Sequence, residues 1–513
     1  IPSSHLLSNG RYTVMVTTAG SGYSSWDGLA VTRWREDPTS DAWGSYLFLR
    51  DAASGEVWSA SYQPSGVEPD TYEAVFSEDR ARIVRHDGTL VTSLEILVSP
   101  EDNAEIRRLS ITNSGTKARE IELTSYAEVV LAPAATDTAH PAFSNLFIQT
   151  EYLPEVQGLL AMRRPRSAAD APVWAAHIFA GGTHGENAGY ETDRTRFLGR
   201  GRPIRNPVAI MDGRPLSDTV GAVLDPILSL RTRVQVAAGA TTHIVFATMA
   251  ASTREEIINL ADKYRDPASF ERISTLAWTE GQVRLHHLGI TADDAHLFQF
   301  LANKVLYSDP AMRPGGDMLK RNTLNATSLW RYSISGDLPI VLLRIDDQED
   351  REIVRQLLRA HEYWHGKGLA VDLGILNERK ASYVQDLQTL LENMVSGSQA
   401  TPPSRQGGIF VLRADLIEEP ELELLQCAAR VVLAGNKQGS LEEQIVRMRR
   451  AESKLASSPP RTPLPRTHAE IAQSMPALEF FNGLGGFAEQ GREYVTILGK
   501  EQRTPAPWVN IIA

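Results

Sequence analysis

The sequence predicts a multidomain α+β chain: a large antiparallel β-sandwich, a helical region after it, and a small α/β element. Three observations predict this. Short runs rich in Val, Ile, Thr and aromatics, parted by Asn-Gly, Asp-Gly and Ser-Gly turns, fill the first half. Past residue 252 the apolar spacing becomes that of an amphipathic helix. Past residue 408 two short apolar runs flank one helical segment, which is a pattern of its own. The expected boundaries are 1–275 for the sandwich, 276–400 for a helical linker region and 401–440 for the α/β element. A linker at 441–470 and the start of a second, truncated sandwich at 471–513 complete the chain.

Strands are expected at 11–18, 45–50, 81–84, 90–98, 105–112, 119–130, 173–179, 228–236 and 241–250. The stretch 120–128 alternates polar and apolar residues, the mark of a strand with one wet face. Many strands on short turns with no helices between them imply antiparallel sheets packed face to face. Ser252 is the expected N-cap of the first helix, with Glu255 and Glu256 placed where the helix dipole favours acids. Ala295, Phe298, Leu301, Ala302 and Val305 carry helical spacing, and further helices are expected at 338–343, 347–364 and 369–394. The stretch 399–408 is a break, strands at 408–413 and 429–433 flank a helix at 418–428, and the Pro-rich stretch 457–465 is a linker. Residues 480–483 and 493–498 echo residues 6–14, which suggests a second copy of the same sandwich. The chain opens at Ile1 without Met and closes on what reads as an interrupted strand, 508–513, so a piece of a longer polypeptide is expected.

The composition narrows the function classes. With 52 Lys and Arg against 63 Asp and Glu, the net charge of −11 argues against nucleic acid as a partner. No window of about 18 uninterrupted apolar residues suggests a membrane span. The single Cys427 rules out an internal disulfide framework and fits a buried, inert thiol.

Gly20-Ser21-Gly22-Tyr23-Ser24, Ala30 to Pro38, Asp41, Trp43 to Asp51 and Gly55 to Ser59 form an ordered set. It resembles the N-terminal super-β-sandwich, galactose-mutarotase-like in fold, of the inverting cellobiose and chitobiose phosphorylases. Ser3 to Gly10, Gln63 to Asp70, Thr124 to Glu128, His140 to Phe143, Ile334 to Ile340 and Phe481 to Phe487 narrow the resemblance further. These match the cyclic β-1,2-glucan synthases, in the region before their C-terminal phosphorylase module, and the match runs essentially end to end. Members of that family elongate β-1,2-glucan from UDP-glucose in a membrane-embedded domain, cyclise it in a second domain and trim it in a third. The resemblance therefore implies a soluble part of a bacterial inner-membrane protein, on its cytoplasmic side. It also implies β-1,2-glucan or a related oligosaccharide, and the neighbouring cyclisation and phosphorylase-like domains, as partners. A complete phosphorylase follows its sandwich with an (α/α)6 barrel that holds the catalytic Asp. Here the helical region holds only about 100 residues, enough for a few helices, so no complete barrel, no catalytic residue and no cofactor are expected.

His361-Glu362-Tyr363-Trp364-His365 matches HExxH, in which two His one turn apart grip zinc and the Glu activates water. Asn377-Glu378 downstream could pose as the third ligand. Gly366 and Gly368 follow at once, and the alternative is a helix end with His365 facing solvent or the C-terminal dipole; no metal is expected. Asp372 and Asp386, read as one helix, stand roughly 20 Å apart at 1.5 Å per residue, too far for a glycosidase pair at ~5–9.5 Å. Asp337 reads as an N-cap or as an acceptor for a sugar hydroxyl.

Sugar recognition also uses aromatic faces, which stack on the C–H faces of pyranose rings while polar neighbours take the hydroxyls. Trp26, Trp34, Trp43 and Trp58 cluster in the first strands with Tyr23, Tyr46 and Tyr62, and core filling competes with sugar binding at each. The carbohydrate-binding candidates are Trp26, Trp34, Trp58, Tyr62 and Asp337, with Trp26, in a Ser- and Gly-rich stretch, expected to be the most exposed. Gly181 to Gly185 and Gly483 to Gly486 lack the Lys-Ser/Thr and helix of a phosphate loop. The Arg-rich stretches 163–166 and 194–205 read as contacts to a neighbouring domain. Three functions stay open: a glucan-binding scaffold, which is favoured, an active phosphorylase or hydrolase, and a docking module that never touches sugar.

Overall fold

A computed structural model describes residues 2–167, 170–181, 189–379, 386–398, 407–435, 439–447, 477–499, 502 and 504. Residues 1–453 form one compact unit and 454–513 a second. The linker expected at 457–465, the expected strand 508–513 and Thr183, His184 and Gly185 lie outside the described residues.

The first unit is built on two antiparallel sheets. In one, Ser4–Ser8, Tyr12–Thr17, Gly22–Trp26, Leu29–Thr32, Arg119–Ala132, Pro226–Val236 and Gly189–Asp193 lie side by side, with Tyr46–Asp51 paired to Arg119–Ala132 and Val57–Ser59 outside it. In the other the order is Ile148–Leu153, Gly158–Arg163, Val173–Gly181, Thr241–Ala251, Ala104–Asn113, Leu90–Val98, Ala81–Asp87 and Thr71–Phe76. Val14, Leu49, Leu123 and Leu230 from the first sheet meet Ile83, Leu94, Ile111 and Phe246 from the second in one buried cluster. That cluster makes the pair a sandwich, because each sheet hides its apolar face against the other.

The strand Arg119–Ala132 departs from the one-wet-face reading. Glu122, Thr124 and Glu128, which share its polar face, are all buried. Their polar face is covered rather than wet. Glu122 pairs with Arg231 and Arg233, and Glu128 with Arg33 and Arg194. Alternation reports chemistry on each face, and a polar face can be covered when partners satisfy it.

Arg254–Tyr264 follows the last sandwich strand, capped by Thr253, which accepts from Glu256 N at 3.2 Å, one residue beyond the expected Ser252. Ile257, Ala261, Phe270 and Ile273 lay this helix and Ser269–Leu288 on the outer face of the second sheet. Ala292–Leu306, held by a Thr291–Asp294 capping box, packs Phe298 and Leu301 against Leu6 and Met15 of the first sheet and against Trp364.

The remainder of this unit contains a parallel sheet that the sequence reading placed only in part. Ile340–Ile345 and Asp372–Asn377 are strands, where helices were expected at 338–343 and 369–394. With Ile409–Arg413 and Val431–Ala434 they form a four-stranded sheet, all pairs parallel, with Ile340–Ile345 and Asp372–Asn377 at its centre. Helices Arg351–Gly366 and Asp386–Ser398 cover one face and Glu419–Ala428 the other, so the central strands are buried on both sides. A strand buried on both sides has no polar face to alternate with, and its continuous apolar run is indistinguishable from a buried helix. Asp372 therefore lies in a strand and Asp386 opens a helix, so they never shared one. Among the described residues the helices cover sheet faces and do not close into a barrel. The second unit contains a two-stranded antiparallel hairpin, Gly485–Ala488 with Glu493–Thr496.

Candidate functional site

The five carbohydrate-binding candidates do not converge. Trp26 ends the strand Gly22–Trp26 and is only 6% exposed; Trp58 is 5% exposed, and both lie in the sandwich core. The exposure expected for Trp26 is therefore corrected: the Ser and Gly around it belong to a hairpin, and its own position faces inward. Trp34 is half-buried, 5.5 Å from the ring of Tyr23 and 5.7 Å from that of Tyr307, edge-on. Tyr62 is half-buried and donates to Glu68 Oε1 at 3.0 Å. Asp337 is exposed in a turn before a strand rather than at a helix N-terminus, and its N–H donates to Ser335 Oγ at 3.2 Å.

The HExxH histidines sit in the last turns of Arg351–Gly366, both buried, with ring centroids 4.4 Å apart. His365 thus does not face solvent. His361 Nε2 is 2.9 Å from the Val371 carbonyl oxygen, which takes up the atom a metal would need. Burial, then the neighbouring His365, pushes the His361 imidazole down to about 4. Among the described residues no three His, Cys, Asp or Glu side chains come together as a metal-binding group.

Two polar networks are buried in the sandwich unit, one between its sheets and one on the outer face of the first sheet. His177 contacts Thr248 Oγ1 through Nδ1 at 2.9 Å and Ser125 Oγ through Nε2 at 2.8 Å, and burial pushes it down to about 3. Arg33 reaches Glu128 at 2.7 Å, Asp137 at 3.0 Å and Asn145 at 2.8 Å. Every polar atom named here has its partner within the chain, so these networks read as internal ties rather than open sites.

An open cleft of about 470 Å³ lies where the edge of the sandwich meets two helices. The first strand brings Ser4 and His5, the turn after Thr71–Phe76 brings Ser77, Glu78 and Asp79, and the helices bring Trp278, Gln282, Asp293, His296 and Phe300. Its floor is tied by hydrogen bonds that span the chain. Gln299 accepts from Leu6 N at 3.0 Å and donates to Leu6 O at 2.9 Å, while Asn303 Oδ1 accepts from Ser4 N and Oγ at 2.9 and 2.7 Å. Gln299 also donates to Tyr363 Oη at 2.9 Å, and Tyr363 donates to Glu78 Oε2 at 2.8 Å. Lys367 Nζ, buried, stands 2.6 Å from Glu78 Oε1. Burial pushes the Lys367 ammonium down against the pull of Glu78, and burial together with the Glu78 charge holds Tyr363 far above its ordinary value. His5 stacks on Phe76 at 5.0 Å and is pushed down to about 3 by burial and then by Lys367. The imidazole is neutral at pH 7.

None of these cleft residues was a sequence candidate. The signal that could have found them is Trp278: it follows Ala277 but lies off the buried stripe of Phe270, Ile273, Ala277, Gly281 and Leu285, and it is 56% exposed. The floor contacts join residues up to 299 positions apart, which no local pattern encodes.

Residues 1–267 match the supersandwich domain of glycosyl hydrolase 94. The cyclic beta-(1,2)-glucan synthase NdvB of Rhizobium meliloti (strain 1021) is 39% identical over 520 residues, covering 99% of this chain and 18% of that protein. The N,N'-diacetylchitobiose phosphorylase of Vibrio furnissii is 25% identical over 218 residues, covering 42% of this chain and 26% of that one. The solabiose phosphorylase of Paenibacillus borealis is 26% identical over 172 residues, covering 33% and 21%. The chain thus spans between 18% and 26% of the length of these relatives. The two-sheet sandwich observed here and a family match over more than half of the residues agree: the chain belongs to the glycosyl hydrolase 94 supersandwich family.

Proposed function

We propose that this chain is a non-catalytic scaffold that holds glucan within a cyclic β-1,2-glucan synthase, between the parts that cyclise the polymer and trim it. The similarity to the Rhizobium meliloti protein along 99% of the chain supports that setting, and the phosphorylase relatives support a carbohydrate-related role. By the same similarity the segment belongs to a membrane-associated protein, and we place it on the cytoplasmic side. No helix among the described residues is long and apolar enough to cross a membrane.

One observation carries the non-catalytic reading. The helices that follow the sandwich spend their apolar faces on sheets: Phe298, Leu301 and Trp364 share one core with Leu6 and Met15 of the sandwich and with the parallel strands. Helices used in this way tie two sheet systems together and, among the described residues, form no helical cup for a sugar and a phosphate. Calorimetry with linear and cyclic β-1,2-glucans tests the binding half, with dissociation constants of roughly millimolar to high micromolar expected. Glucose 1-phosphate release from glucan and phosphate tests the other half. Turnover by the purified chain would overturn the scaffold reading, and absence of heat at millimolar glucan would leave the docking module in its place.

A further inference from the structure

We propose that the cleft between the sandwich edge and helices Ser269–Leu288 and Ala292–Leu306 is an oligosaccharide site, with the indole of Trp278 as its platform; this rests on the glucan-binding reading above. Three features of the cleft point to a neutral sugar.

The first is its surface. Trp278 presents 56% of its area to solvent from the middle of a 20-residue helix, and its indole N–H has no partner among the described residues. Phe76 and Phe300, both half-buried, line the same cleft. Aromatic faces beside hydrogen-bonding groups match a pyranose, which offers C–H faces and a ring of hydroxyls.

The second is charge. Among the described residues no Arg or Lys lines the cleft; Lys367 beneath it is bound to Glu78, and Lys304, 4.9 Å from the ring centroid of Phe300, is bound to Asp309. Asp79 is tied to Arg80 at 2.7 Å. Asp293 and His296 remain at the exposed rim, with Gln282, as an acceptor, an imidazole and an amide. A lining without cations disfavours phosphates, nucleotides and acidic glycans and suits hydroxyl-rich neutral chains.

The third is rigidity. Gln299 and Asn303 clamp the backbone of Leu6 and Ser4, and the Gln299–Tyr363–Glu78–Lys367 chain locks the floor. A preformed cleft of about 470 Å³ falls in the range of small-ligand sites and needs no ordering on binding.

The test is calorimetry of the whole chain with a linear β-1,2-linked glucooligosaccharide, for the wild type, Trp278→Ala, Trp278→Tyr and Asp293→Asn. Trp330→Ala, at an indole 63% exposed in the segment Ala326–Tyr332, is the control. Trp278→Ala is expected to weaken binding about tenfold, Trp278→Tyr to restore part of it, and Trp330→Ala to leave it unchanged. A sulfated glucooligosaccharide of equal length should bind at least tenfold more weakly than the neutral one. Wild-type binding that Trp278→Ala leaves intact would overturn the cleft assignment while the glucan-binding reading stands. Absence of wild-type binding would overturn both.

Discussion

The sandwich and the parallel sheet hide their strands by different means, and the difference decides what each can reveal in a sequence. In the sandwich each sheet meets a partner sheet on one face, and a polar side chain on the other face must find solvent or a partner. The strand Thr71–Phe76 at the edge keeps strict alternation of exposed and half-buried positions. The parallel strands have helices on both sides, and Asp372–Asn377 is buried at all six positions. The two systems nevertheless share apolar residues, Leu6 and Met15 on one side and Trp364, Leu343 and Ile375 on the other. That shared core predicts one cooperative unit.

The largest effects should come from the two buried indoles that stand for the two systems. Trp26→Ala in the sandwich and Trp364→Ala, whose indole N–H donates to Phe298 O at 2.8 Å, should each cost about 3–5 kcal/mol. In urea titrations followed by both far-UV dichroism and fluorescence, each variant should unfold in one transition at a lowered midpoint. If Trp364→Ala instead splits the transition and leaves a sandwich-like phase at the wild-type midpoint, the two systems fold independently.

Acid separates the regions by a different route. His5 and His177 in the sandwich, held down to about 3, and His361 beside the parallel sheet, at about 4, are all neutral when folded. Their folded values lie below the unfolded 6.5, so the unfolded chain takes up protons first. The stability they contribute is fully present above pH 6.5 and is lost as pH falls toward the folded values. At pH 5 each should cost about 2 kcal/mol relative to pH 7. His177→Gln and His361→Gln should each flatten the fall in urea midpoint between pH 6.5 and 5, whatever their stability at pH 7. A slope unchanged in His177→Gln would mean that its imidazole titrates in the fold as it does in the unfolded chain, with no shift from burial.

Much of the sandwich was legible because turns and alternation are local. Asp87-Gly88 opens the hairpin from Ala81–Asp87 to Leu90–Val98, and Asn113 starts the turn after Ala104–Asn113. The strand Ile340–Ile345 was not legible: its run Ile-Val-Leu-Leu suits a buried helix equally, and only pairing with Asp372–Asn377 and Val431–Ala434 decides between them. The site failed for a related reason. Trp26 is ranked by its flanking residues, whereas exposure depends on which face of the sheet a Trp occupies, and both Trp26 and Trp58 face the core. The cleft is assembled from residues 3–5, 76–79 and 278–303, distant in the chain and joined by the bonds of Gln299 and Asn303.

A smaller effect tests the joint between the two systems. Thr291 Oγ1 accepts from Asp294 N at 3.1 Å while Asp294 Oδ2 accepts from Thr291 N at 2.9 Å, fixing the start of the helix that touches both. Thr291→Ala should cost about 1 kcal/mol, read as a shifted urea midpoint with unchanged slope. A slope that falls would show the helix fraying before the rest and the joint acting as a weak point.

The smallest expected effect on stability is at Trp278, and its smallness is what gives it meaning. The buried stripe of its helix is complete without it, through Phe270, Ile273, Ala277, Gly281 and Leu285, and more than half of its surface stays in water. Replacement by Ala removes little buried area and substitutes the best helix former, so the urea midpoint should move by less than about 0.5 kcal/mol in either direction. Trp26→Ala and Trp278→Ala then make a matched pair, the same substitution with opposite consequences: a large loss of stability at the first, and at the second a loss confined to glucan binding. A Trp278→Ala variant that loses more than about 2 kcal/mol would place that ring among the packing residues, and its exposed face could no longer be assigned to a ligand.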